Sequence, residues 1–304
     1  MLKPHLATDA DITLIKFPVF VQPKIDGVRG IHLPNTGFTA RTLKRFKNRK
    51  LTAKFSQPEL AGFDGELTYT NQLTADDLCR TTTSLVNTID GPDTAVWNIF
   101  DYITPETVNK PYKDRYWIMY EKVHNLVKTD SVWENVLNVV PYAQINDQQT
   151  LDIVLRNYLE CGYEGIIIRK INGLHKDGRC TQREGNFLRI KDFATEEANI
   201  IKLLEAEENL NTPKLNELGF QTRSSHKENL AGKGMVGTLV CWSQKWGVFN
   251  VGPGRMTHDD RVKFWNNSEL VLDKICTFKY LKTGTLKTPR MATFQHFRAS
   301  EDIL

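Results

Sequence analysis

Three short β-rich pieces, Phe17 to Gln22, Gly30 to Leu33 and Gly37 to Arg41, are cut from one another by Pro, Gly and Asn. That spacing is consistent with antiparallel strands separated by turns. Ala95 to Ile103, Gly165 to Ile168 (opened by Glu164) and Phe187 to Lys191 read as further strands. Between Asn209 and Lys233 the chain is polar and carries Pro213, Gly219 and Gly232, which predicts a loop or hairpin. Met235 to Trp242, Gly247 to Val251, Ile275 to Tyr280 and Phe294 to Arg298 then suit a small barrel.

Helical signals are fewer. Leu151, Val154, Leu155, Tyr158 and Leu159 recur at i, i+3, i+4, i+7 and i+8, and Gly162 is placed to stop that helix. Thr74, followed by Ala75, Asp76 and Asp77, resembles an N-cap leading a short helix toward Ser84. From Thr195 to Ala206 the pattern is ambiguous: Thr195, Glu196 and Glu197 look like a helix start, whereas Ile200, Ile201, Leu203 and Leu204 fit either period.

With 304 residues, 40% hydrophobic and 25% charged, the chain can build one large domain or two moderate ones. A net charge of +4 permits nucleic-acid binding without arguing for it. No apolar run of about 18 residues predicts a membrane span. The polar start Met1-Leu2-Lys3-Pro4-His5 has no signal-peptide character, so a soluble intracellular protein is expected. Cys79, Cys161, Cys180, Cys241 and Cys276 form no CxxC pair and are expected to be reduced and to serve packing.

Chemistry concentrates first in Lys24-Ile25-Asp26-Gly27-Val28-Arg29, a KxDGxR pattern on a turn between strands. A lysine nucleophile attacks as the free amine, so neighbouring cations such as Arg29, or a bound metal, would have to favour loss of its proton. Gly27 would leave the backbone uncluttered beside a phosphate. Taken alone, Asp26-Gly27 is equally a hairpin turn with a solvated lysine beside it. Downstream, in order, stand Phe63-Asp64-Gly65-Glu66-Leu67, Trp97-Asn98-Ile99-Phe100-Asp101, Glu164-Gly165-Ile166-Ile167-Ile168-Arg169 and Leu188-Arg189-Ile190-Lys191.

This ordered set resembles motifs I, III, IIIa, IV and V of the covalent nucleotidyltransferases. It is similar in particular to the minimal ATP-dependent DNA ligases of chloroviruses and tailed phages. Ala40 to Lys44, Thr81 to Ser84, Arg223 to Lys227, Phe249 to Gly254, and Pro289-Arg290 with Phe294 and Arg298 extend the resemblance over nearly the full length. It implies an α+β fold: a nucleotidyltransferase (ATP-grasp-like ligase) domain with antiparallel sheets over residues 1–192, then an all-β OB-fold domain over 193–304. It also implies that the ambiguous segment after Thr195 opens the barrel as a strand.

The activity so implied is sealing of 3′-hydroxyl/5′-phosphate nicks in duplex DNA by a monomer using ATP and Mg²⁺, for which Mn²⁺ can substitute. Lys24 would take AMP as a phosphoramide and pass it to the DNA 5′-phosphate, and the 3′-hydroxyl would then displace it. By the same resemblance Glu164 and Glu66 would hold the metal, Glu66 would also bond the ribose, and Phe100 would stack on adenine. Gln22, Arg29, Arg169, Arg189 and Lys191 would complete the nucleotide pocket, Arg29 and Lys191 also acting in catalysis. Arg189 stands where lysine is more usual, and its forked guanidinium is not equivalent to a point charge. Asp26 would act near the 3′-hydroxyl or its metal. Arg29 and Arg41 would grip the nick phosphate, helped by Lys44, Lys176 and Arg179.

Lys214, Arg223, His226, Lys227 and Lys233 give residues 209–233 a basic character. By the resemblance that segment would be a latch-like clamp on DNA, and Arg290 would end the DNA-binding set, with Ala292 where proline is common. An mRNA capping guanylyltransferase shares the KxDG lysine and the OB domain and is the enzymatic alternative. A catalytically silent nick-binding protein is the other.

Overall fold

Strands fall where turn residues leave room for them in the computed structural model, which describes residues 2–34, 36–215 and 221–298. Along residues 1–191 they are β1 (His5–Leu6), β2 (Thr8–Asp9), β3 (Val19–Pro23), β4 (Val28–Leu33), β5 (Gly37–Ala40), β6 (Phe63–Thr68), β7 (Val96–Tyr102), β8 (Leu137–Val139), β9 (Ala143–Ile145), β10 (Gly165–Lys170), β11 (Gly178–Arg179) and β12 (Phe187–Lys191). Four α-helices accompany them: α1 (Arg49–Phe55), α2 (Leu78–Asn87), α3 (Tyr112–Thr129) and α4 (Gln148–Glu160). The chain divides into two units between Lys191 and Asp192.

The first unit holds two five-stranded sheets, ordered β2-β12-β10-β3-β9 and β5-β4-β6-β7-β8. Most pairings are antiparallel; β2 with β12, β7 with β8 and the small β1–β11 pair are parallel. Against the second sheet packs an aromatic core. Trp97 is fully buried, its ring centroid 4.8 Å from Phe38 and 5.4 Å from Phe55, and its indole N–H donates to the Gly30 carbonyl at 3.2 Å.

α4 forms as its periodicity predicts. Asp147 caps it by accepting from the Thr150 amide at 2.8 Å. Gly162, at φ +91°, ends it, with the Gly162 and Tyr163 amides bonding back to Leu159 and Tyr158 in a Schellman closure. By contrast α2 starts at Leu78, and Thr74 is not its cap. The local acid is committed sideways instead: Asp77 accepts from the hydroxyls of Thr81 at 2.6 Å and Tyr69 at 2.7 Å.

The second unit is a five-stranded sheet in the order β17-β16-β13-β18-β19, built from β13 (Phe193–Asn209), β16 (Leu230–Ser243), β17 (Gly247–Val251), β18 (Ile275–Leu281) and β19 (Arg290–Phe297). A bridge between Gly252 and Thr293 joins its two edges, as closure into a barrel requires. The unit also carries a helix, α5 (His258–Asn266), opened by a capping box between Thr257 and Asp260. The ambiguous segment is strand. Register shifts between Ile200 and Lys202 and again after Leu204 move the buried positions from Ala198 and Ile200 to Leu203, which is why neither period fitted throughout. Between β13 and β16 lies a hairpin, β14 (Pro213–Leu215) with β15 (Gln221–Arg223); residues 216–220 of the expected clamp lie outside the described residues.

Among the described residues no helix is long and apolar enough to cross a membrane. Truncating a large buried aromatic costs about 3–5 kcal/mol. Trp97→Ala is therefore expected to lower the thermal transition of the first unit, and a melt followed by tryptophan-independent far-UV dichroism checks it.

Candidate active site

Three strand ends assemble the charged centre. Beyond β3 the Lys24 amide donates to the Gly165 carbonyl at 2.9 Å, and the Glu164 amide donates back to the Lys24 carbonyl at 3.3 Å. β10 in turn pairs with β12, Gly165 opposite Lys191. Lys24, Glu164 and Lys191 thus share one end of the first sheet, and their side chains meet: Glu164 is ion-paired to Lys24, while Lys191 Nζ donates to its other oxygen at 2.5 Å. A side chain at Gly165 would come 2.0 Å from the Ile190 carbonyl, and its φ of +150° also favours glycine. Burial opposes the charge of Glu164, which is only 1% exposed, but the two lysines outweigh it and hold its pKa below the usual carboxylate range.

The second sheet contributes Glu66 and Arg29, which face each other across β6 and β4. Gly27 lets the motif turn lie against β6, since a Cβ there would sit 2.1 Å from the Leu67 carbonyl. Burial pushes the Glu66 carboxyl up to about 7, against the pull of Lys24 and Arg29 and with added repulsion from Glu164 and Asp26. Asp26 is partly buried beside it. Among the described residues no group of three or more His, Cys, Asp or Glu is arranged to hold a metal alone.

Phe100 lies within β7, two residues before its end, its ring centroid 5.4 Å from the Arg29 guanidinium and 5.6 Å from that of Arg169. Arg169 is buried, 3.7 Å from Asp101 and stacked 3.4 Å from the Phe187 ring. Gln22 is also buried, its amide nitrogen donating to the Val140 carbonyl at 3.1 Å and its oxygen accepting from the Tyr112 hydroxyl at 3.0 Å. Both side chains are therefore engaged by protein groups in this structure.

Arg29 makes a forked ion pair with Asp64 and donates to the His5 carbonyl at 2.7 Å. Arg41 and Lys44 are exposed just past β5, and the Gly30–Ala40 register brings Arg29 and Arg41 to the same end of that strand pair. Arg189 is held by Asp9 at 2.6 Å, Lys176 by Glu184 at 2.6 Å, and Arg179 by the Ala7 carbonyl at 2.6 Å. In the second unit Lys227 is exposed, whereas Arg223 donates to the Asn211 carbonyl at 2.5 Å and Arg290 to the Thr283 carbonyl at 3.2 Å.

Sequence reading passed over several residues that matter to this geometry. Asp64 and Asp101 stood inside the motifs, and their two-residue or shorter spacing from Glu66 and Phe100 was the available signal. Asp101 receives a forked pair from Arg115 at 2.8 and 3.0 Å. Burial alone would raise its pKa, but Arg115 and Arg169 hold it well below the usual range. Arg115 lies on α3, which the sequence reading did not identify.

No protein-family model matches the chain, and no curated protein gives a significant match. Solved structures do. The DNA ligase–adenylate of Chlorella virus is 29% identical, aligned over 97% of this chain and 99% of that one, with a TM-score of 0.52. A Lig E DNA ligase shares the fold at 19% identity and a TM-score of 0.69, over 97% and 99% of the two chains. The ATP-dependent DNA ligase of bacteriophage T7, in complex with ATP, does so at 15% identity and 0.51, over 97% and 98%. From end to end, then, the chain is a structural relative of the minimal ATP-dependent DNA ligases, with their nucleotidyltransferase domain followed by an OB fold.

Proposed function

We propose that the protein is an ATP-dependent DNA ligase that seals nicks in duplex DNA through a lysyl-AMP intermediate on Lys24. The observation that carries this reading is the sharing of buried Glu164 between Lys24 and Lys191 on a fold related to a ligase–adenylate. Lys24 attacks the α-phosphate of ATP and pyrophosphate leaves. The AMP passes to the 5′-phosphate of the nick, and attack by the 3′-hydroxyl joins the strands and releases AMP. Each step displaces a group at phosphorus, so alignment and charge neutralisation supply most of the rate.

Each residue's part follows from its chemistry. Lys24 is the amine nucleophile, and it must lose its proton before attack. Lys191, on the same carboxylate, offers a cation to the α-phosphate. Phe100 presents a ring for adenine, and Glu66 an acceptor for the ribose. Mg²⁺, which takes one or two carboxylates and completes its shell with phosphate oxygens and water, fits Glu164 and Glu66 and would neutralise phosphate charge when bound. Arg29 and Arg41, at one strand end, suit the nick phosphate. The basic segment 209–233 supplies backbone contacts whose strength falls with salt.

Lys24→Ala is expected to abolish label transfer from [α-³²P]ATP to protein; label from GTP alone on the unmodified chain would instead favour a capping enzyme. Removing residues 209–233 should leave protein labelling within about 3-fold while nick sealing falls at least about 10-fold, as loss of a phosphate-contacting arm requires. Equal loss of both steps would exclude a clamp.

Glu66 gives a pH prediction. Between the ordinary glutamate range and about 7 the folded protein keeps a proton on Glu66 that the unfolded chain has released. Stability therefore falls as pH rises through that window. Glu66→Gln should remove this contribution, seen as a smaller drop in urea midpoint from pH 5 to pH 8.

A further inference from the structure

The backbone of residues 3–7 is laced to the loop at 175–180. The Lys3 amide donates to Asp177 at 2.8 Å, and the Lys3 carbonyl bonds His175 Nε2 at 3.0 Å. The Gly178 amide donates to the Pro4 carbonyl at 3.1 Å, the Cys180 amide to the Leu6 carbonyl at 2.8 Å, and Arg179 to the Ala7 carbonyl at 2.6 Å. β1 and β11 run parallel, His5 opposite Gly178. From the opposite side, the His5 carbonyl receives Arg29 at 2.7 Å.

His5 is the wedge in this lacing. It is 1% exposed, and its ring meets His175 edge-on at 5.5 Å and Phe187 at 5.3 Å. Neither ring nitrogen has a hydrogen-bond partner among the described residues. An unpartnered polar ring in such a place contributes volume rather than bonds, and an apolar residue of similar size can take its place.

We propose that His5 is a positioning residue for the nick phosphate: its ring wedges β1 in place, and β1 sets Arg29 on one side and the 175–180 loop, with Lys176 and Arg179, on the other. This rests on the ligase reading, in which those three cations face phosphate. A guanidinium that grips phosphate in a fork must be aimed closely, and a small loss of aim is costly. Lys24, Glu164 and Lys191 have no described bond to residues 3–7, so transfer of AMP to the enzyme depends less on the wedge.

The test compares the full chain with His5→Ala and His5→Leu. Three readouts are taken: labelling by ATP, single-turnover sealing of pre-adenylated nicked duplex, and amide hydrogen exchange at residues 175–180. For His5→Ala we expect labelling within about 3-fold, sealing lowered at least about 10-fold, and faster exchange at Gly178 and Cys180; His5→Leu should restore all three to within about 3-fold. Unchanged sealing and exchange in His5→Ala, or equal loss of labelling and sealing, overturns the proposal. If the unmodified protein does not seal nicks at all, the ligase reading fails, and exchange alone then decides whether His5 holds the loop: unchanged exchange in His5→Ala overturns that too.

Discussion

One buried carboxylate must be kept charged, and the first unit is arranged around that requirement. Glu164 lies at a strand start with almost no solvent, where an isolated carboxylate would take up a proton. Two lysines prevent this, and both arrive by backbone pairing: Lys24 through its bonds to Gly165 and Glu164, Lys191 through the β10–β12 register. A slip of one residue in either pairing would turn a lysine to the opposite face. The glycine at 165, which nothing larger can replace without meeting Ile190, holds the strands close enough for the charges to meet.

Neighbouring Glu66 shows the opposite solution. It too is drawn from water, but its cations are partly engaged elsewhere, Lys24 with Glu164 and Arg29 with Asp64. Two glutamates in one site thus differ in how readily they ionise, and the difference arises from how the available cations are distributed. Asp101, as buried as Glu164, stays charged because Arg115 grips it with two nitrogens.

Much of this was legible in the chain itself. Turn punctuation marked most of the strands, though not β6, which carries Glu66; the motif roles and the α+β fold class came with the resemblance that the ordered motifs carry. Two kinds of feature were not. α3 escaped because its buried face is Tyr112, Arg115, Tyr116, Met119 and Val123, a helical stripe in which an arginine and tyrosines replace aliphatics, so the apolar period is masked. Long-range partners escaped for a different reason: that Asp64 takes Arg29, Asp9 takes Arg189 and His5 backs Arg29 depends on sheet order, which no local pattern encodes. The segment from Thr195 is strand, as the resemblance implied, and its helix-like start is explained by acids that serve the barrel. Glu196 gathers Lys245, Trp246 and Tyr280, and Glu197 takes Arg298.

β13 extends past the barrel it helps to build. It stays paired to β16 from Asn199–Trp242 out to Asn209–Leu230, far beyond what the barrel needs. The β14–β15 pair beyond it is therefore joined to the barrel by a two-stranded ribbon rather than by a loose loop. Register shifts follow Ile200, Leu204 and Glu205 along that ribbon and bend it. They set the direction in which the basic hairpin points, so its reach is determined in the barrel wall, well away from the residues it presents.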